Sequence, residues 1–365
     1  MSSDRNEAVA GDSQRTVRLL LVGVGNLGRR FATLIGEKHG ELQARYGLDL
    51  RLVGAADSRG AAVDPQGLDE RAIRRIKHAG GSVADLPGVG RPGMTGLALI
   101  ESVEADVLCE ASPVHLEAAA EPGLSHVRRA LERGLHVTTP NKGPIVTAYR
   151  ELVALAEARG VLLRFDGTVA GGLPAIALGA RDLRGASIER IEAVPNLTTG
   201  FVLDRLAAGA SWEAAIEEAR AAGALEGDGS WDLDGWDAAA KLVILAQAVL
   251  DLDVSLEDVR RNGIRDVDLG RLRSAGSDER VRLLATAERR PDGGYDLDVA
   301  PTPLASGHPL GRLGPKGMGI VFETDLFGTI HSIIDEPTPL PSAATMLRDL
   351  LDIYLDPRGA IRRAV

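Results

Sequence analysis

Two hydrophobic rhythms divide the chain. In the first half, short apolar runs alternate with stretches carrying apolar residues at helical spacing. VRLLLV (17–22) predicts a buried strand, followed by a glycine turn and an amphipathic helix in NLGRRFATLIGEKHG. LRLVGAADSRG predicts a second strand ending at Asp57, and DVLCEAS a third. HVRRALERG is helical, LHVTTPNKG a strand running into a loop, ELVALAEARG a helix closing on Gly160, and VLLRFDG another strand. Residues 60–100 predict a helix at 68–79 and a Gly/Pro-rich loop, LPGVGRPGMTG. Strand–helix alternation of this kind implies an α/β fold with a doubly wound parallel sheet.

The rhythm changes after residue 166. A Gly-rich loop, GTVAGGLPAI, opens a helix. SIERIEAVPNLTTGFVL, DVDLGRLRSA, ERVRLLATAER and GYDLDVAPTPL predict short strands and turns, with residues 290–310 rich in loop. GMGIVFETDLFGTIHSII predicts a two-stranded hairpin, and SAATMLRDLLDIYLD an amphipathic helix from 342 to 355. The expected organisation is a disordered tail (1–16), a dinucleotide-binding unit (17–165), an α+β substrate and dimerisation unit (166–335), and a last segment (336–365) returning to the first unit.

Composition removes several function classes. With 365 residues, two sizeable cores are possible. A net charge of −10 argues against nucleic acid and anionic membranes, and 3% aromatics against base-stacking platforms. The single cysteine, Cys109, excludes a disulfide framework. No apolar run reaches the roughly 18–20 residues of a membrane helix, and the first residues lack a signal-peptide core, so cytoplasmic residence is expected.

Gly23, Gly25 and Gly28 form G-x-G-x-x-G between a predicted strand and helix, spanning Gly23, Val24, Gly25, Asn26, Leu27 and Gly28. The first glycine permits the tight turn, the second lets a pyrophosphate approach the backbone, and the third lets helix pack on strand. Asp57, ending the second strand, is the acid such folds direct at a ribose hydroxyl. Ser58 follows, and Arg59 offers a cation for a 2′-phosphate. The pattern implies NAD(P) and leaves the choice between NAD and NADP open.

EGDGSWDLDGWDAAAK (226–241) holds five carboxylates and one lysine in sixteen residues, ahead of the apolar run LVILAQAVL. On a helix, Asp237 and Lys241 would share a face. Such a pair can bind an amino acid and move a proton; equally, it describes an acidic loop, an N-cap (Asp234 or Asp237) and a surface ion pair.

Taken together, VGVGNLGRRF, EPGLSHVRRALERGLHVTTPNKGPI, FDGTVAGGLPAI, IEAVPNLTTGFVL and GALEGDGSWDLDGWDAAAKLVILA resemble, in order, the motifs of homoserine dehydrogenase in its short form without a regulatory domain. The last matches the family's E-x-D-x(3)-D-x-x-G-x-D-x-x-x-K signature. The resemblance implies reversible hydride transfer between L-homoserine and L-aspartate 4-semialdehyde in a homodimer. It assigns Glu226 to the substrate ammonium and Asp237 and Lys241 to the reacting oxygen. Asp232 would support the site, and Lys142 would be its second lysine. Asn196, Thr198 and Thr199, with Thr168, would line the substrate side. Ser112, Pro113, Asn141 and Lys142 would face the cofactor. Asp166, which stands where the family usually has glutamate, would hold a sodium ion together with Val169 and Gly171.

The chain departs from the family pattern at Leu197, at Gly200 and in DEPTPLPSAAT, where three prolines replace a glycine-rich turn. These departures motivate an alternative, a related dehydrogenase for another amino alcohol or semialdehyde. A non-catalytic nucleotide sensor is a further alternative, against which the full set of carboxylates and lysines argues.

Overall fold

The computed structural model describes residues 15–225, 228–274 and 279–355. The first unit runs β1 (Arg15–Val22), α1 (Asn26–Tyr46), β2 (Leu48–Asp57), β3 (Gly60–Val63), α2 (Glu70–His78), β4 (Gly90–Pro92), α3 (Gly96–Ser102), β5 (Val107–Glu110), α4 (Gly123–Glu132), β6 (His136–Thr138), α5 (Lys142–Arg159) and β7 (Leu163–Arg164). The second runs α6 (Ala175–Ala177), β8 (Ile188–Val194), α7 (Leu197–Ala207), α8 (Trp212–Ala221), α9 (Ser230–Leu233), α10 (Trp236–Val249), β9 (Val259–Arg261), α11 (Leu269–Ser274), β10 (Glu279–Arg289), β11 (Tyr295–Ala305), β12 (Gly317–Thr324) and β13 (Gly328–Asp335), before α12 (Leu340–Leu355).

The first sheet has the order β4-β3-β2-β1-β5-β6-β7. Its strands β2, β1, β5, β6 and β7 pair in parallel, as buried apolar runs joined by helices must. The nucleotide loop thus lies at the C-terminal end of the central strand, where the strand order reverses. Two strands were missed in the sequence: β3 pairs antiparallel with β2, and β4 antiparallel with β3, extending this sheet in a region expected to be helix and loop. They are short and carry mostly Gly, Ala and Pro, so the β-branched signature of a strand is reduced to Val63.

The second sheet, β13-β12-β8-β10-β11-β9, is antiparallel except where β9 meets β11. The expected hairpin is β12–β13. Two expected strands are helices instead. NLTTGFVL forms α7, because Asn196 caps it by accepting a hydrogen bond from the Thr199 amide (3.0 Å) and turns an otherwise β-prone segment. LGRLRS forms α11, opened by the Asp268 carboxylate on the Gly270 and Arg271 amides. The loop-rich stretch at 290–310 contains the whole of β11.

One face of the second sheet packs on α10, whose buried run from Ala238 to Ala248 fills the core beside β10 and β8. Helix α5 enters the same core through Ile145, Val146 and Tyr149, so its first turn is carried to the start of α10. Helix α12 returns to the first unit. Ala343, Met346, Leu350 and Ile353 form a helical stripe buried against Leu19, Leu21 and Phe31. The larger three are each worth roughly 1.5–3 kcal/mol by burial. Among the described residues, no helix is long and apolar enough to cross a membrane.

Candidate active site

The nucleotide loop has the shape its glycines require. Gly23 sits at φ +97°, and a Cβ there would lie 2.2 Å from the Ala111 carbonyl oxygen; at Gly28 a Cβ would lie 2.0 Å from the Gly23 oxygen. At Gly25 a Cβ would meet nothing within 4 Å, and Gly25 and Asn26 are exposed. Gly25 is the N-cap of α1, with no side chain bonded to the cap. Open space in front of the uncapped amides of a 21-residue helix suits a diphosphate. Val24 is buried and Leu27 half-buried behind this loop.

The carboxylate of Asp57 is already occupied. It accepts from Lys77 Nζ (2.8 Å), Ser82 Oγ (2.6 Å), the Arg59 amide (3.0 Å) and the Val83 amide (3.1 Å). Burial would raise its pKa, but these donors outweigh burial and hold it below the usual carboxylate range. Ser58 and Arg59 are exposed beside it, and Arg59 Nη2 donates to the Gly80 carbonyl at 2.9 Å.

At the end of β5, the fully buried Glu110 organises the loop that follows. It accepts from the Ser112 amide (3.1 Å), from the Ser112 hydroxyl and from Thr139 Oγ1 (3.3 Å). Asn141 caps α5 through the Gly143 amide (3.0 Å) and donates to the Ser112 carbonyl (3.3 Å). Pro113 is exposed next to these groups. Glu110 was not singled out in the sequence. A carboxylate inside the apolar run DVLCEAS was the available signal.

The cap places Lys142 as the first residue of α5. Its Nζ lies 3.1 Å from Asp237 Oδ1. On the other side, Lys241 Nζ donates to Asp237 Oδ2 at 2.7 Å and to the Pro195 carbonyl at 2.6 Å. Asn196 Nδ2 reaches Asp237 Oδ2 and Asp232 Oδ1, both at 2.6 Å, and Thr198 Oγ1 donates to Asp232 Oδ2 at 3.1 Å. Asn196, Thr198 and Thr199 are buried. One carboxylate is therefore clamped between lysines from the two units. Burial alone would raise the pKa of Asp237. Lys142 and Lys241 outweigh it and, with the bonds from Lys241 and Asn196, hold Asp237 far below the carboxylate range. Burial and the adjacent Asp237 push Asp232 the other way, upward.

Asp228 and Asp234 are separate from this network. Asp228 accepts from the Ser230 amide (3.0 Å), and Asp234 pairs with Arg265. Glu226 lies outside the described residues.

Comparison with known proteins agrees with this layout. Residues 23–166 match the family model for the homoserine dehydrogenase NAD-binding domain, and residues 174–351 match the homoserine dehydrogenase model itself. An NAD(+)-dependent homoserine dehydrogenase from Pseudomonas canavaninivorans is 34% identical, covering 92% of this chain and 96% of its own. The chain belongs to the homoserine dehydrogenase family. A homoserine dehydrogenase from Methanocaldococcus jannaschii is 32% identical over 92% of this chain and 98% of its own. The crystal structure of a putative homoserine dehydrogenase from Archaeoglobus fulgidus superposes with a TM-score of 0.82 at 30% identity, covering 93% of this chain and 99% of the other. A hyperthermophilic archaeal homoserine dehydrogenase solved in complex with NADPH gives 0.80 at 28% identity, covering 93% and 98%. The first unit of this family member is its NAD(P)-binding domain.

Two of the residues assigned to a sodium ion, Asp166 and Gly171, are engaged by protein donors. Asp166 Oδ1 accepts from the Ile176 (2.9 Å) and Ala177 (3.3 Å) amides, and Oδ2 from Arg348 Nη2 (2.6 Å). The Gly171 carbonyl accepts from Thr345 Oγ1 at 3.0 Å. Thr168, expected on the substrate side, is buried with its hydroxyl on the Phe165 carbonyl (2.6 Å).

Proposed function

We propose that the chain interconverts L-homoserine and L-aspartate 4-semialdehyde, with Lys142, Asp237 and Lys241 as its proton-handling centre. The observation that carries this reading is the single carboxylate shared by two lysines at the junction of the units. NAD(P), when bound, supplies or accepts the hydride. Reduction of the aldehyde builds negative charge on oxygen, and a cation about 3 Å away stabilises it and delivers a proton. In the oxidation direction the same group takes the hydroxyl proton.

The two lysines differ in what remains free. Lys241 spends donors on Pro195 and Asp237, whereas Lys142 is bonded to Asp237 only among the described residues. Lys142 is also the more exposed, with 21% of its side chain accessible against 12% for Lys241. We therefore assign proton transfer to Lys142. Lys241 is the cation that holds Asp237 ionised and aimed. Asp232, Asn196, Thr198 and Thr199 brace the carboxylate on the substrate side, and Glu226 is assigned to the substrate ammonium.

Residues 23–28, Ser112, Pro113 and Asn141 are assigned to the cofactor, with Asp57, Ser58 and Arg59 at its ribose end. Domain limits of 17–165 and 166–335, a cytoplasmic setting and a homodimer complete the reading. The dimer is supported by the free edge at β13, where Ile333 and the turn residues Leu326 and Phe327 are exposed. Steady-state assays with L-homoserine and NAD+ or NADP+ test the function. Turnover with either cofactor is expected; none with both, in protein that still binds NADH or NADPH, refutes the reading.

A further inference from the structure

Asp166 is a carboxylate only 7% exposed, at the head of a loop that the family's pattern would gather around a monovalent cation. A buried carboxylate needs a compensating charge, and a loop turning through two consecutive left-handed residues, Ala170 (φ +51°) and Gly171 (φ +58°), needs its carbonyls satisfied. In this chain both needs are met by α12 and the segment leading into it. Arg348 and Thr345 are three residues apart and so lie on one face of the helix. Arg348 Nη2 meets Asp166 Oδ2 at 2.6 Å, and Nη1 reaches the Gly172 carbonyl at 3.4 Å. Thr345 Oγ1 donates to the Gly171 carbonyl at 3.0 Å.

The proline-rich segment completes the frame. The Glu336 carboxylate accepts from the Gly172 amide (3.2 Å) and from the Ser342 amide (3.2 Å) and hydroxyl, tying the loop to the first turn of α12. It fills the space so fully that a Cβ on Gly171 would lie 2.2 Å from Glu336 Oε2. Where a glycine turn would present free amides, this chain presents a buried carboxylate.

We propose that Arg348 takes the place of the monovalent cation, making the loop at 166–172 independent of Na+ and K+. A carboxylate offers about four acceptor positions, and three on Asp166 are filled. A hard cation requires a shell of oxygens, yet the carboxylate and the Gly171 carbonyl already accept from α12 and α6. A metal ion placed here would also sit against a guanidinium. The covalently attached cation further locks α12, which packs on the nucleotide unit, to the loop that opens the second unit.

The test compares thermal midpoint, sodium-23 NMR line width and initial rate in NaCl, KCl and choline chloride at equal ionic strength. For the wild type, all three salts should give the same midpoint and rates within about twofold, since screening alone is then equal. Adding protein should leave the sodium line unbroadened. A saturable rise in midpoint or rate with Na+ or K+ that choline does not give would overturn the proposal. Arg348→Ala should lower the midpoint by several degrees and acquire a stabilising response to Na+ or K+. A midpoint equal to the wild type in every salt would also overturn it. If that variant does not fold, Arg348→Lys retains a tethered cation and should remain indifferent to Na+; a gained Na+ response there would instead count against charge replacement. The midpoint and line width do not depend on turnover, so failure here is distinguishable from failure of the proposed reaction.

Discussion

Lys142 and Asp237, each in the first turn of its helix, form a 3.1 Å ion pair that joins the nucleotide-binding unit to the second unit. The pair sits at the N-terminal ends of both helices, where free amides favour the anion and disfavour the cation. Asp237 is consequently held as the anion of the pair.

Asp237→Asn removes the charge that both lysines share. Asparagine keeps the shape but leaves two cations side by side without a counter-ion. The expected result is a fall in kcat of about 10²–10³-fold, the scale of lost electrostatic and acid–base support. The Kd for NADPH, read by fluorescence titration, should change little. A kcat within a few-fold of the wild type would remove Asp237 from the centre.

The two lysines separate by charge-conserving substitution. Lys142→Arg keeps a cation but replaces the amine with a guanidinium, which stays protonated in proteins and cannot pass its proton on. It should therefore be as damaging as Lys142→Ala, about 10²-fold or more in kcat. Lys241→Arg can still oppose Asp237 and should retain more activity than Lys241→Ala. The measurement is kcat against pH for the four variants. Recovery in Lys142→Arg with none in Lys241→Arg would reverse the roles.

Cofactor preference should rest on Arg59. Asp57 is neutralised by Lys77 and its oxygens are filled, so its repulsion of a 2′-phosphate is blunted. Arg59 has an exposed guanidinium that donates to the Gly80 carbonyl. Arg59→Ala is expected to raise KM for NADP+ by about tenfold, one charge-assisted bond. KM for NAD+ should move by less than about twofold on the same argument. Equal effects on both cofactors would show that Arg59 does not touch the phosphate.

How far the sequence carried depended on how local each feature is. Gly23, Gly25 and Gly28 could be read because their spacing, the strand before and the helix after are contiguous. Asp237 and Lys241 could be read because four residues on a helix fix their contact. Lys142 reached the site only through the resemblance, since its distance to Asp237 is set by α5 packing on α10. The engagement of Asp57 by Lys77 and Ser82, 20 and 25 residues away, is likewise tertiary. So is the pairing of Asp166 with Arg348 across 182 residues, which turned a predicted metal ligand into one half of an ion pair. The misread segment at α7 has β-branched residues that local propensity sends to a strand, but the Asn196 cap decides for a helix.

Asp349 gives the protein a pH-dependent stability of unusual sign. It lies fully buried on α12, with Thr138 Oγ1 donating to it at 2.8 Å, and burial, reinforced by nearby Asp166, pushes its pKa up to about 8. Arg348 and Arg164 oppose the shift without overcoming it. In the unfolded chain an aspartate titrates near 3.9. Between about pH 4 and 8 the folded state therefore holds a proton that the unfolded state has released. The contribution of this group is fully present below about pH 4, is lost as pH rises through that window, and levels off above about 8. Asp349→Asn keeps an acceptor for Thr138 and removes the titration. The variant should lose little at pH 5, gain thermal midpoint relative to the wild type at pH 8, and show a flatter slope between the two. Calorimetry at several pH values checks this. Parallel pH curves for the two proteins would mean that Asp349 titrates as an ordinary carboxylate.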